Sequence, residues 1–318
     1  MLKTSFCCLL IPFWNLVLSI PLFCQVSPQG APAAALDDKA CAGEAQEAVQ
    51  RRDYEGAKAV LRKAIASGHD CADAHFLLAY VLLRQDLPKD SLAEYTLAAE
   101  QRTPSAEDLR NVALDYVLLN DYADAGRWAL RSLESDKNDP ETWYVLGRIK
   151  YSTGDFHSAV DCFQHSLALA PKSVKAQNNL GLAFEGLNEA EKAIDAYHAA
   201  IALQLNSTPQ SEQPLLNLAA LLIHRSQLEE ALPLLLQAAV IAPAEPRVHE
   251  QLGQLYTRRQ DFADARREYE KAVSLAPSDP RLHFLLGQAY RHSEMNKEAE
   301  QEFATAARLN GTHSTPQP

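Results

Sequence analysis

The chain has 318 residues, 47% of them hydrophobic, with only 12 glycines and a formal net charge of −11. That apolar content suffices for a folded core, and the acidic balance argues against a nucleic-acid binder, which normally carries a basic footprint. Exposed acidic helix faces account for the charge, and a surface that selects basic partners is the sharper alternative.

The N-terminal stretch MLKTSFCCLLIPFWNLVLSIPLFC, residues 1–24, carries one charge, Lys3, ahead of an apolar run from Phe6 to Phe23. A short positive region followed by a hydrophobic one reads as an export signal. Pro21 is placed to break the helix before a cleavage point after Cys24. The same run is near the minimum length of a membrane span, so an uncleaved anchor is the alternative. Membrane contact is expected only through this segment. Gln25–Asp37 reads as a flexible linker rich in Ala and Pro. Removal of 1–24 leaves Cys41, Cys71 and Cys162, with no CxxC pair to suggest a zinc ribbon or a redox site.

From Asp38 onward the chain repeats with a period of 34 residues. Counted from Pro140, the residues Trp143, Leu146, Gly147, Ala159, Phe163 and Pro171 occupy steps 4, 7, 8, 20, 24 and 32. The same steps recur as His283, Leu286, Gly287, Ala299 and Phe303, and as His249, Leu252, Gly253, Ala265, Tyr269 and Pro277. This resembles the tetratricopeptide repeat family. The resemblance implies an all-α, right-handed superhelical solenoid of eight helix-turn-helix repeats: 38–71, 72–105, 106–139, 140–173, 174–207, 212–245, 246–279 and 280–313, with 314–318 a disordered tail. The extra residues Thr208–Ser211 are expected to form a flexible joint.

Steps 4, 7, 8 and 11 share one helical arc. Small residues at steps 8 and 20 let two helices approach, and the residue at step 24 fills the space beside them. Asp53, Asp121, Asp155 and Asp261 fall at step 16, where each can cap the second helix. Asp139-Pro140 and Asp279-Pro280 read as N-cap and first helical residue of a first helix. The start of a first helix lies near the end of its antiparallel partner. Cys41 and Cys71 are therefore expected to form a disulfide stapling the terminal repeat in an oxidising compartment.

No nucleophile elbow, zinc-protease motif or phosphate loop is present. His75, His249 and His283 share step 4 with Trp143, which makes them packing residues rather than ligands. Glu and Asp are assigned to solvent-facing helical steps, with no apolar pocket to raise a carboxyl pKa. Catalytic residues, cofactors and metals are therefore not expected.

The resemblance places steps 2, 5, 6, 9, 12 and 13 of each first helix on a concave groove that binds protein segments or extended peptides. In this chain that face carries Phe76, Tyr80, Arg110, Asn111, Tyr144, Arg148, Tyr151, Lys175, Asn178, Asn179, Asn217 and Gln251, with Arg247 and Gln254 beside them. Step 6 is an amide in four repeats (Asn111, Asn179, Asn217, Gln251), and a row of amides can bond a peptide backbone without reading its side chains. The carboxylate clamp of chaperone-adaptor repeats is not reproduced. The implied role is a protein-binding scaffold outside the cytoplasm; a membrane-tethered assembly factor and a regulatory subunit are the alternatives.

Overall fold

The computed structural model describes residues 43–205 and 209–313. Among them the structure is entirely α-helical. The helices pair as α1 (43–50) with α2 (Tyr54–Ala66), α3 (Ala72–Arg84) with α4 (Pro88–Gln101), and α5 (Ala106–Leu118) with α6 (Tyr122–Ser135). The array continues with α7 (Pro140–Ser152) and α8 (Phe156–Leu169), α9 (Val174–Gly186) and α10 (Ala190–Gln204), and α11 (Gln213–His224) and α12 (Leu228–Ile241). It ends with α13 (Pro246–Arg258) and α14 (Phe262–Leu275), then α15 (Pro280–His292) and α16 (Asn296–His313). The expected export segment, the linker, Cys41 and the tail 314–318 lie outside the described residues.

Each helix packs on the next in the chain, and the first helices α3, α5, α7, α9, α11 and α13 also touch in succession. The second helices make no comparable lateral layer among the described residues. The first helices therefore line the inner, concave side of a solenoid.

Close approach within a pair rests on glycine. A Cβ on Gly147, Gly181 or Gly253 would stand 2.5–2.6 Å from a ring carbon of Phe163, Tyr197 or Tyr269. Asp53, Asp121 and Asp155 cap α2, α6 and α8 by accepting from the backbone N–H of Gly56, Asp124 and Ser158. Asp261 departs from that expectation: its carboxylate accepts from Arg259 Nε at 3.1 Å and makes no cap bond to α14. Asp139 and Asp279 accept from the N–H groups of Glu141 and Arg281.

The step-4 histidines are junction residues. Nδ1 of His249 and of His283 meets Glu268 at 2.7 Å and Glu302 at 2.5 Å, while Nε2 of each meets the carbonyl of Pro243 or Pro277 in the preceding turn. Trp143 Nε1 donates to the equivalent carbonyl, that of Lys137, at 2.9 Å. His75 bridges Glu94 and Asp70, and hydrogen bonds and charge from these two carboxylates raise its pKa against the opposing effect of burial.

Two acids break the solvent-facing expectation. Glu250 is buried and ion-pairs with Arg281. Asp115 is 0% exposed between α4 and α5, and burial pushes its carboxyl up to about 7, against the hydrogen bond from Ser91. Ser91 Oγ lies 2.6 Å from Asp115 Oδ2 and 2.8 Å from the Ala79 carbonyl. One hydroxyl hydrogen cannot serve two acceptors. The arrangement closes when Asp115 is protonated and donates to Ser91, which donates to Ala79.

The extra residues before α11 do not interrupt the core. The largest cluster runs from Ala193 and Tyr197 through Leu215, Leu222 and Leu235 to Val248 and Leu252. The Gln204 side chain clamps Ser211, donating to its carbonyl at 2.7 Å and accepting from its N–H at 3.0 Å. Of the expected joint, Thr208 lies outside the described residues, and the packing of the helices on either side of it is continuous.

Candidate functional site

Among the described residues, cavities open on the concave side, and two of them bear on the groove. One, of about 460 Å³, lies across α1, α3 and α5 and is lined by Phe76, Tyr80, Asn111, Asp73, Glu107 and Asp108, among others. The other, of about 510 Å³, lies across α7, α9, α11 and the start of α13. Its lining includes Tyr144, Lys175, Asn178, Asn179, Asn217 and Arg247, all on the face read from the sequence. Helical periodicity explains the grouping, because these side chains leave successive first helices on the same side.

The polar groups of the second cavity form a bonded series across three helices. Asn179 Nδ2 donates to the Tyr144 hydroxyl at 2.9 Å, and Asn217 Nδ2 donates to Asn178 Oδ1 at 3.0 Å. Asn178 Nδ2 reaches Asn179 Oδ1 at 3.5 Å. This corrects the picture of an open amide row. Asn178 is buried and spends its oxygen on Asn217. Each amide nitrogen carries two hydrogens, so Asn179 and Asn217 each keep one more to donate. The Tyr144 hydroxyl accepts from Asn179 and so keeps its own hydrogen for an acceptor in the cavity. Burial raises the Tyr144 pKa, against the pull of Arg148 and the Asn179 bond, which holds the phenol neutral. Lys175 Nζ sits 4.7 Å from the Tyr144 ring centre and ion-pairs with Glu141, and the Arg148 guanidinium lies 5.9 Å from the same ring.

The remaining residues of the face are placed differently. Phe76 is 5% exposed, packed beside Tyr95 with the Arg102 guanidinium 4.4 Å from its ring centre, so only its edge reaches the first cavity. Asn111 is likewise buried. Arg110 is held by Asp139 at 2.5 Å and Glu107 at 3.2 Å and lines neither cavity. Tyr151 lies outside both and packs edge-on against Phe156. Gln251 Oε1 is buried with no hydrogen-bond partner among the described residues. Cys71 stands beside the start of α3 and has no disulfide partner among the described residues; its expected partner Cys41 lies outside them. Two features of the groove escaped the sequence reading. The acids Asp73 and Glu107 line it from step 2, and Phe284, 49% exposed, faces out beside Phe303 from step 5 of the last first helix. Their step numbers were the available signal. Among the described residues no cluster of three or more His, Cys, Asp or Glu is placed to hold a metal ion.

The family model described as tetratricopeptide repeat matches residues 43–107, 144–212 and 251–313, more than half of the chain. The chain is 38% identical over 66 residues to the peroxisomal targeting signal receptor of Saccharomyces cerevisiae, a match covering 21% of this chain and 11% of that one. It is 26% identical over 165 residues to a DnaJ homolog subfamily C member 7 homolog of Dictyostelium discoideum, covering 48% of this chain and 31% of that one. It thus spans less than a third of the length of either of these two curated relatives. A solved tetratricopeptide repeat protein from Parabacteroides merdae superposes with a TM-score of 0.62 at 16% identity, over 80% of this chain and 99% of the other. That is a likeness of fold.

Proposed function

The chain belongs to the tetratricopeptide repeat family, and from that premise we propose that it is a non-catalytic scaffold holding an extended protein segment in the groove across α7–α13. Such repeats generally mediate protein–protein interaction. The observation that carries the reading is the donor set of the second cavity. The Tyr144 hydroxyl and the spare amide hydrogens of Asn179 and Asn217 line one space of about 510 Å³. That is within the range of about 300–1,000 Å³ of ordinary ligand sites. These donors suit the successive carbonyls of an extended backbone. Val174, Leu182 and Pro214 supply the apolar wall. The printed name of the yeast relative, a receptor for a targeting signal, belongs to that protein and fits this use of the fold.

The test is a random peptide library selected on the immobilised full chain. Peptides recovered should lose affinity about tenfold with Asn179→Ala and Asn217→Ala together, and likewise with Tyr144→Ala and Arg148→Ala, since each pair removes one or two charge-assisted or neutral hydrogen bonds. Helical content should be unchanged. Retention of affinity in both double variants would show that the groove is not the site.

The proposed setting is outside the cytoplasm, on the strength of Lys3 and the apolar run Phe6–Phe23. N-terminal sequencing of the natively produced protein distinguishes the outcomes. A start at Gln25 supports export, and a retained Met1 in the membrane fraction supports the tethered alternative.

A further inference from the structure

Step 2 of each repeat, at the start of its first helix, sits on the groove rim, and its charge reverses along the stack. It is Asp73, Glu107 and Glu141 on α3, α5 and α7, then Lys175, Gln213, Arg247 and Arg281 on α9, α11, α13 and α15. The cavities inherit the reversal. The one across α1, α3 and α5 is lined by Asp73, Glu107 and Asp108 and by no Lys or Arg. The one across α7–α13 is lined by Lys175 and Arg247 and by no Asp or Glu.

Neighbouring charges decide how much of this is left for a ligand. Lys175 is paired with Glu141, both half exposed, and Arg281 is paired with the buried Glu250. Among the described residues the Arg247 guanidinium is held by the neutral Gln213 Oε1 alone, at 3.3 Å, and it is exposed. Arg148 is exposed and lies over the Tyr144 ring, a contact that leaves its charge uncancelled. Among the described residues, Arg148 and Arg247 therefore stand on either side of the amide series as cations without carboxylate partners, in a chain whose net charge is −11.

We propose, building on the groove reading above, that the segment held across α7–α13 is acidic. Its carboxylates engage Arg148 and Arg247, and Lys175 as it releases Glu141, while its backbone carbonyls take the hydrogens of Tyr144, Asn179 and Asn217. The carboxylate-lined cavity at α1–α5 repels the same side chains, so the acidic stretch sits toward the C-terminal half of the groove. The overall negative charge gives no long-range attraction for such a ligand. Recognition acts within a screening length of about 8 Å at physiological salt and comes from direct charge-assisted hydrogen bonds.

The same peptide selection, sorted by composition, tests this. Wild-type protein should recover peptides enriched in Asp and Glu. A representative peptide should lose about tenfold in affinity when the protein carries Arg148→Gln, Lys175→Gln and Arg247→Gln. It should lose as much when its own Asp and Glu are changed to Asn and Gln. Asp73→Asn with Glu107→Gln should leave affinity unchanged or raise it. Circular dichroism checks that the triple variant, altered only at partly or fully exposed side chains, keeps its helices. Recovery of neutral or basic peptides, or indifference to the triple variant, overturns the acidic assignment. If those peptides still depend on Asn179 and Asn217, the groove reading survives. If they do not, or if no peptide is recovered, both fall. Sedimentation covers the remaining occupant: a dimer that the triple variant dissolves would give this cavity to a second copy of the chain.

Discussion

Gly147 packs against the ring of Phe163, and that residue is fully buried. An added methyl would have to stand 2.6 Å from a ring carbon that has nowhere to go. Overpacking of this kind costs about 1–3 kcal/mol. Alanine returns roughly 1 kcal/mol of helix propensity over glycine. Gly147→Ala should therefore lower the melting temperature. Gly126 is the control: a Cβ there meets only Ile149, at 3.9 Å. Gly126→Ala should stabilise by about 1 kcal/mol, so denaturant melts should move the two variants in opposite directions. The glycine and aromatic positions were legible because both recur at fixed steps. Asp115 was not, since nothing in its local sequence says that α4 covers it. Its folded pKa, pushed up to about 7, lies above the unfolded value of about 3.8. Stability from this group is present at low pH and is lost as the unfolded chain ionises, between about pH 4 and pH 7. Thermal melts at pH 5 and pH 8 should show a smaller pH loss for Asp115→Asn than for the wild type. An equal loss in both would mean that Asp115 is ionised in the fold.

Between the paired helices the chain takes one left-handed residue, always at the same place in the repeat. The positions are Arg52, Asp86, Asn120, Gly154, Asn188, Ser226, Gln260 and Glu294, with φ between 56° and 78°. Gly154 announced this turn in the sequence, and Asp86, Asn120 and Asn188 suit it. Arg52, Gln260 and Glu294 give no sign of it, because flanking helices packed on each other impose the backbone and the residue tolerates it. For an L-residue that conformation costs roughly 1–2 kcal/mol. Gln260→Gly removes most of the strain and adds some unfolded-state entropy, so a net gain of about 0.5–1 kcal/mol is expected in denaturant titration. The second element-scale prediction concerns the extra residues ahead of α11. Sequence length and two prolines suggested a joint, but the apolar cluster from α9 to α13 was hidden in the helices on either side. If protease cuts the array between Leu205 and Ser211, the two fragments should co-elute in gel filtration under native conditions. Separation without denaturant would restore the joint.

At the scale of the whole molecule, packing and partner choice are assigned to different faces. The small and aromatic residues facing inside each pair close the stack, and the inner layer of first helices is left to carry polar groups. Periodicity marked those residues as one face, and the repeat resemblance made it the inner one. Its bonding was not legible, because spacing says which way Asn178, Asn179 and Asn217 point and not that they satisfy one another across α9 and α11. The outer face is a rival surface: Leu236 and Val240, one turn apart on α12, are 49% and 82% exposed. The central claim is that the partner lies inside the groove. A photoreactive side chain placed at Arg148, and separately at Leu236, in cells that produce the protein decides between the two faces. Adducts to a partner polypeptide from position 148 and none from position 236 are the predicted result; adducts from 236 alone would contradict it.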